Sequence, residues 1–218
     1  MKKILPKITA WFTGFIALFL YFLLESMFVV PNKRKSVIIG YIITLIIVVL
    51  ILLIYHQGLR QQNSWHFTIK FSKCDKTTVR KASWAILAFA IILLVQVLIG
   101  YILGSGATSQ NQTALNQLIN QEGMQFKVFI GLVAPIIEET IFRGIFFNLC
   151  FTKNTKQNMI LGIITNGLVF AIFHDPEFSP FIIGYWLMGS MLAFVYLKTR
   201  DLKWPILVHM ANNLIGLI

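Results

Sequence analysis

The chain of 218 residues is 57% hydrophobic and 12% charged, which excludes an ordinary soluble domain, since such a domain needs more charge to cover its surface. Its formal net charge of +11 would suit a nucleic-acid binder, yet the lysines and arginines fall in short stretches between apolar runs, the pattern of membrane topology, and nucleic acid is set aside as a partner. Cys74 and Cys150 lie far apart without C-x-x-C spacing, so they read as ordinary thiols rather than a disulfide framework.

A helix needs about 20 apolar residues to cross the hydrocarbon core of a bilayer. Seven segments qualify as candidates: 8–30, 36–55, 82–103, 128–150, 159–174, 181–197 and 204–218. The opening Met1-Lys2-Lys3-Ile4 resembles a signal peptide, but the apolar stretch behind it is too long. Glu25-Ser26-Met27 also offers no small-residue cleavage site, so the segment reads as a retained first helix. The last three segments are short and broken by Asp175-Pro176 and Trp204-Pro205. A broken backbone facing lipid would leave polar groups unsatisfied, so such segments line cavities, and the C-terminal half is where function is expected.

The connectors alternate in charge. Arg60, Lys70, Lys73, Lys76, Arg80 and Lys81 lie between the second and third segments, Lys153 and Lys156 after the fourth, and Lys198, Arg200 and Lys203 after the sixth. Residues 104–125 carry no Lys or Arg, and the 175–180 link is acidic. The positive-inside rule then places the basic connectors and the N-terminus in the cytoplasm of a multi-pass cell-membrane protein, with the C-terminus outside. Lys33, Arg34 and Lys35 disagree: either the first two segments do not both span, or a short eighth element is hidden. Residues 65–71 alternate Trp65, Phe67, Ile69 and Phe71 with polar residues. That pattern allows a strand, but a segment lying on the lipid surface is the preferred reading. Leu115, Leu118 and Ile119 stand at helical spacing and predict a short outward-facing cap. The expected architecture is all-α, a polytopic bundle of about seven helices. Residues 1–127 supply membrane helices and a basic connector, and 128–218 a catalytic core within the same structural unit.

Glu138, Glu139 and Arg143 stand near the middle of the fourth segment, where each charge costs about 2.5–3.5 kcal/mol by insertion scales. Glu139 and Arg143 are four apart, acid first, and can pair on one helix face. Glu138 lies about 100° around the helix, free to face a cavity as a general base for water. A buried ion cluster that merely joins helices is the bland alternative. His174 ends the fifth segment with Phe170 one turn before it, able to hold its ring. His209 and Asn213 share a face of the seventh segment. His56 and His66 sit in or beside the basic connector and read as solvated.

The three motifs E-E-x-x-x-R (Glu138, Glu139, Arg143), F-x-x-x-H (Phe170, His174) and H-x-x-x-N (His209, Asn213) fall in order on successive apolar segments. Together with Pro135, Phe142-Arg143-Gly144, Tyr196-Leu197-Lys198-Thr199 and Trp204-Pro205-Ile206, they resemble the CPBP family. These are the CAAX proteases and bacteriocin-processing or immunity proteins also called the Abi family. The resemblance covers about 128–218 and implies an intramembrane endopeptidase. In it Glu138 and His174 would activate water, His209 and Asn213 would stabilise the oxyanion, and Glu139, Arg143 and Phe170 would support them. It implies either no cofactor or a single divalent metal such as zinc, held if present by Glu138, His174 and His209. The partners expected are the lipid bilayer and a peptide or membrane-protein substrate, in bacterial peptide maturation or bacteriocin self-immunity. A non-catalytic immunity or scaffold protein and a small transporter with a proton relay are the competing classes. No inverted repeat supports the transporter.

Overall fold

The computed structural model describes residues 14–21, 37–61, 63–68, 76–104 and 106–217. These hold eight helices: α1 (residues 14–21), α2 (Val37–Gln61), α3 (Lys76–Leu103), α4 (Gln110–Glu122), α5 (residues 124–150), α6 (Lys156–His174), α7 (Ile182–Thr199) and α8 (Lys203–Ile215). The architecture is the all-α membrane bundle expected. Most of the first expected segment, and Lys33–Lys35 with the hidden element considered there, lie outside the described residues. The helix at 110–122 forms where the apolar spacing placed it, capped by Ser109 Oγ, which accepts from Gln112 N–H at 3.1 Å.

The molecule is apolar outside, and its buried charged side chains lie within a largely apolar interior. Leu45, Leu53, Ile86, Val97 and Ile102 are exposed along α2 and α3, while Glu139, Arg143, Asn166, Asp201 and His209 are buried. That inversion fits hydrocarbon as the solvent. Residues 42–60 of α2, and α3, α6 and α7, are long and apolar enough to cross a membrane. The run 124–150 is about 40 Å long at roughly 1.5 Å per residue. By the same measure the 13 residues of α8 reach about 20 Å, short of the ~30 Å core.

α5 is continuous but not regular. Pro135 has no N–H to give, and its ring crowds the preceding turn. The helix widens just before it into a π-helical stretch, Phe129–Val133, and widens again at Thr140–Ile145. Between the two lies a short α-helical piece, Ala134–Glu139, ending on the glutamate pair.

α6 and α7 cross where both are glycine. A Cβ on Gly189 would lie 2.8 Å from Phe170 Cβ and 3.0 Å from Gly167 Cα, so only glycines permit this approach. α2 meets α5 in the same way, since a Cβ on Gly144 would stand 2.7 Å from the Tyr55 ring.

The basic connectors are tied to one another. Ser64 Oγ donates to Thr152 O, and Trp65 Nε1 donates to Phe151 O at 2.6 Å. Thr68 N donates to Arg200 O at 2.8 Å, and Leu202 N to Thr68 O at 3.2 Å. Buried Asp201 pairs with Lys203 at 3.2 Å and Lys81 at 3.9 Å. At the other ends of α6 and α7, Gln110 Nε2 donates to Glu177 Oε1 at 2.9 Å, and the hydroxyls of Ser109 and Tyr185 bond at 2.7 Å. The lipid-surface reading of the 65–71 alternation needs correcting over its described part. Trp65 and Phe67 are each only 2% exposed, with Phe67 stacked on Tyr196 at 4.1 Å, and Thr68 forms a single parallel bridge to Asp201 rather than a strand. The connector turns Phe67 inward against Phe147 of α5 and Tyr196 of α7. Residues 69–75 lie outside the described part.

Gly189→Leu should lower stability by about 1–3 kcal/mol or more, as overpacking does. Gly100→Leu, on an exposed face of α3 with nothing within 4 Å of its Cβ position, should be tolerated. Thermal unfolding of the two variants in detergent checks this.

Candidate active site

The polar cluster forms where α5, α6 and α8 meet, with α1 reaching in from the side. Glu138 is 6% exposed, and Glu139 and Arg143 are fully buried. Arg143 lies one turn below Glu139, and its Nη1 stands 3.0 Å from Glu139 Oε1. Its Nη2 donates to Gly189 O at 3.2 Å, reachable because of the close α6–α7 crossing, and its guanidinium lies 4.6 Å from the centre of the Phe170 ring. The cation is thus held by a carboxylate, a backbone carbonyl and an aromatic face, which offsets its desolvation.

Phe170 is the hub of the rings. It stacks on His174 at 4.0 Å and meets His209 edge-on at 5.9 Å. His174 Nδ1 lies 2.9 Å from Phe170 O, and His209 Nδ1 lies 2.8 Å from Glu139 Oε1. A carbonyl and a carboxylate can only accept, so in both rings the Nδ1 carries the hydrogen, an assignment made from the partners. Both rings therefore turn Nε2 towards the same atom. His174 Nε2 is 3.6 Å and His209 Nε2 is 3.7 Å from Glu138 Oε2, which receives no direct hydrogen bond. The other carboxylate oxygen, Glu138 Oε1, accepts from Tyr21 OH at 2.9 Å. Gaps of this size are too long for direct hydrogen bonds, and a water beside the three atoms would be within reach of all of them.

Of the residues singled out from sequence, Glu138, Glu139, Arg143, Phe170, His174 and His209 come together. Asn213 reaches the neighbouring turn of α5 instead, where its Nδ2 donates to Ile130 O at 2.9 Å. Among the described residues no group of three or more His, Cys, Asp or Glu side chains is arranged to hold a metal ion. The order of the segments left His174 and His209 near opposite ends of their helices. They meet because the link after α6 folds under α4, with Asp175 buried and accepting from Ser179 Oγ at 2.7 Å, and because α8 is short. The His174 side chain is 19% exposed, against 7% for that of Glu138 and 3% for that of His209, so the site opens on the His174 side.

Sequence reasoning missed Tyr21, Tyr185 and Asn166. Tyr21 sits in an apolar run with no local signal. Tyr185 lies beside His174, ring centres 5.3 Å apart, with its hydroxyl tied to Ser109. Asn166, one turn before Phe170, was detectable as a polar residue in the middle of an apolar helix, and its amide donates to Phe142 O.

Glu139→Gln leaves Arg143 buried without its counter-ion and should cost about 3–5 kcal/mol. Glu139→Gln combined with Arg143→Met should recover much of that loss, as a double-mutant cycle in detergent would measure.

Residues 121–215 match the family model described as type II CAAX prenyl endopeptidase, Rce1-like. The chain is 31% identical over 139 residues to the membrane-embedded CAAX protease MroQ of Staphylococcus aureus, covering 60% of this chain and 54% of that protein. It is 32% identical over 152 residues to the UPF0177 protein YvdC of Lactococcus lactis, covering 64% and 56% respectively. The matched stretch spans about half the length of these curated relatives. No solved structure matches. The glutamate–histidine cluster lies wholly inside the matched residues except for Tyr21, so the site falls in the part of the chain, residues 121–215, that is similar to the Rce1-like CAAX prenyl endopeptidase family.

Proposed function

We propose that this multi-pass membrane protein is an intramembrane endopeptidase that hydrolyses a peptide bond in a peptide or membrane-associated protein. The observation that carries the reading is the convergence of His174 Nε2 and His209 Nε2 on the unbonded Glu138 Oε2. A water held there has three acceptors or donors fixed around it before substrate arrives, and that preorganisation lowers a barrier. A buried ion cluster that only joined helices would have no use for an opening beside His174.

Glu138 takes a proton from this water, and the water oxygen attacks the scissile carbonyl carbon. His174, its ring fixed by Phe170, orients the water and the carboxylate. The carbonyl oxygen becomes an oxyanion, met by His209 and by the Asn213 N–H that Ile130 leaves free. To donate from Nε2 while its Nδ1–H stays on Glu139, His209 acts as an imidazolium. The tetrahedral carbon then releases the amine, which receives the proton carried by Glu138, leaving a new carboxyl terminus. Glu139 and Arg143 hold His209 and the α5 turn in place. The steps are carried by the chain's own side chains, and a chelator tests the metal alternative directly. The role assigned is bacterial peptide maturation or self-immunity against a bacteriocin, with the basic connectors and the N-terminus in the cytoplasm.

The deciding experiment compares wild type and Glu138→Gln, matched for folded protein in detergent, on pooled peptides with and without prenyl groups. Wild type should cleave, and the variant should be slower by about 10²- to 10⁴-fold, the range for loss of a general base. Equal cleavage by both would remove Glu138 from the mechanism, and binding without any cleavage would favour an immunity or scaffold protein. Loss of activity with chelator, restored by zinc, would make the site metal-dependent. Orientation is checked by cysteines placed at Asn154 and Ala114 in cells. A membrane-impermeant thiol reagent applied outside should label the second and spare the first.

A further inference from the structure

Each π-helical stretch in α5 strips one backbone carbonyl of the donor that an α-helix would give it. At the first, Ala134 N–H turns back to Phe129 O, and Ile130 O accepts instead from Asn213 Nδ2 of α8. At the second, Phe146 N–H goes to Ile141 and Arg143, and Phe142 O accepts instead from Asn166 Nδ2 of α6. Two asparagines from two neighbouring helices thus clamp the two irregular turns, and the piece Ala134–Glu139 bearing the glutamates is suspended between the clamps. Buried carbonyls need a donor, so without its asparagine a turn would relax towards α-helical bonding and rotate the next residues of the helix about its axis.

We propose that Asn166 is a positioning residue for the peptidase reaction: its amide fixes the second π-helical stretch of α5, and through it the orientation of the Glu139–Arg143 pair and of His209. The inference rests on the function proposed above. The route is short and buried throughout. Phe142 O, held by Asn166, precedes Arg143 in the chain. Arg143 stands 3.0 Å from Glu139, Glu139 lies 2.8 Å from His209 Nδ1, and His209 Nε2 faces Glu138 Oε2 at 3.7 Å. Asn166 is fully buried and leaves its own Oδ1 without a partner, so its donor is the part the fold uses. Asn166, Phe170 and His174 recur at intervals of four along α6, so one face of one helix holds the π-turn, the arginine and the histidine beside Glu138.

The test uses Asn166→Leu and Asn166→Asp in the full chain. Both keep the shape and lose the N–H donor. Asn148→Leu is the control, since Asn148 is also a buried asparagine but bonds through neither amide atom. Two readouts are taken on folded protein, kcat and KM for a peptide that wild type cleaves and ¹⁵N spectra of labelled histidine. The His209 signals are assigned by comparison with His209→Gln. Loss of the donor should lower kcat by about ten- to a hundredfold with KM within about twofold, the mark of a transition-state effect. It should also move the His209 signals in the direction that Glu139→Gln moves them, while Asn148→Leu changes neither. Unchanged kcat and unmoved His209 signals in a folded variant would overturn the proposal, as would an equal loss in Asn148→Leu. If Asn166→Leu does not fold, Asn166→Asp carries the comparison. If wild type cleaves no peptide, the function proposed above falls but the histidine spectra still decide whether Asn166 sets the cluster.

Discussion

Everything in this fold answers to one difficulty, a guanidinium and two carboxylates held inside a protein whose solvent is hydrocarbon. Removing such charges from water costs several kcal/mol each even after relaxation. The molecule meets that cost locally. Arg143 has Glu139 at 3.0 Å, the Gly189 carbonyl at 3.2 Å and the face of Phe170, so its charge is compensated from three directions. Each compensation imposes a demand elsewhere. The carbonyl contact requires α7 to approach α6 with no side chain between them, hence Gly167 and Gly189. The aromatic contact fixes Phe170, and Phe170 in turn fixes both histidine rings.

The glutamates are treated unequally, and the inequality fits the different roles proposed for them. Glu139 is fully buried and engaged by Arg143 and His209 through one oxygen. Glu138 is held by Tyr21 through one oxygen and offers the other, unbonded, to two imidazoles at distances too long for direct hydrogen bonds. A structural carboxylate gains nothing from an open oxygen, whereas one that must receive a proton requires it. The same carboxylate is oriented by the irregular geometry of α5, because a regular helix would carry the pair round at a fixed 100° per residue with no freedom to aim it.

The sequence showed the helices, the charge alternation of the connectors and the six residues that meet, because these rest on local signals: apolar run length, basic clusters, and charges where charges are expensive. It overstated α8 as a span, since hydropathy measures composition and the segment helical in the structure stops at Ile215. It read Trp65 and Phe67 as lipid-facing because alternation cannot say which apolar environment receives a side chain. It placed Asn213 as an oxyanion donor without foreseeing the Ile130 carbonyl. The π-turns that expose that carbonyl and that of Phe142 arise from packing around Pro135 and the neighbouring helices, and no spacing rule marks them. Asn166 and Tyr21 went unread because each becomes meaningful only opposite a partner far away in the chain.

Tyr21 bears on how the two halves of the chain relate. The family match begins at residue 121, and the motif residues all come after it, yet the hydroxyl that holds one oxygen of Glu138 comes from α1. α2 contributes as well, with Tyr55 packed into Gly144 one residue after Arg143 and bonded through its hydroxyl to Tyr196 of α7 at 2.9 Å. α3 packs along α7 and α8, where Gln96 Nε2 donates to Asn212 Oδ1 at 2.9 Å, beside Asn213. The N-terminal helices are therefore more than a membrane anchor for a self-sufficient core. They supply the wall against which α5 is braced and the hydrogen bond that determines which oxygen of Glu138 is left free. A site built on a charge in lipid needs such a wall on every side, and the matched domain alone encloses it on only part of its circumference.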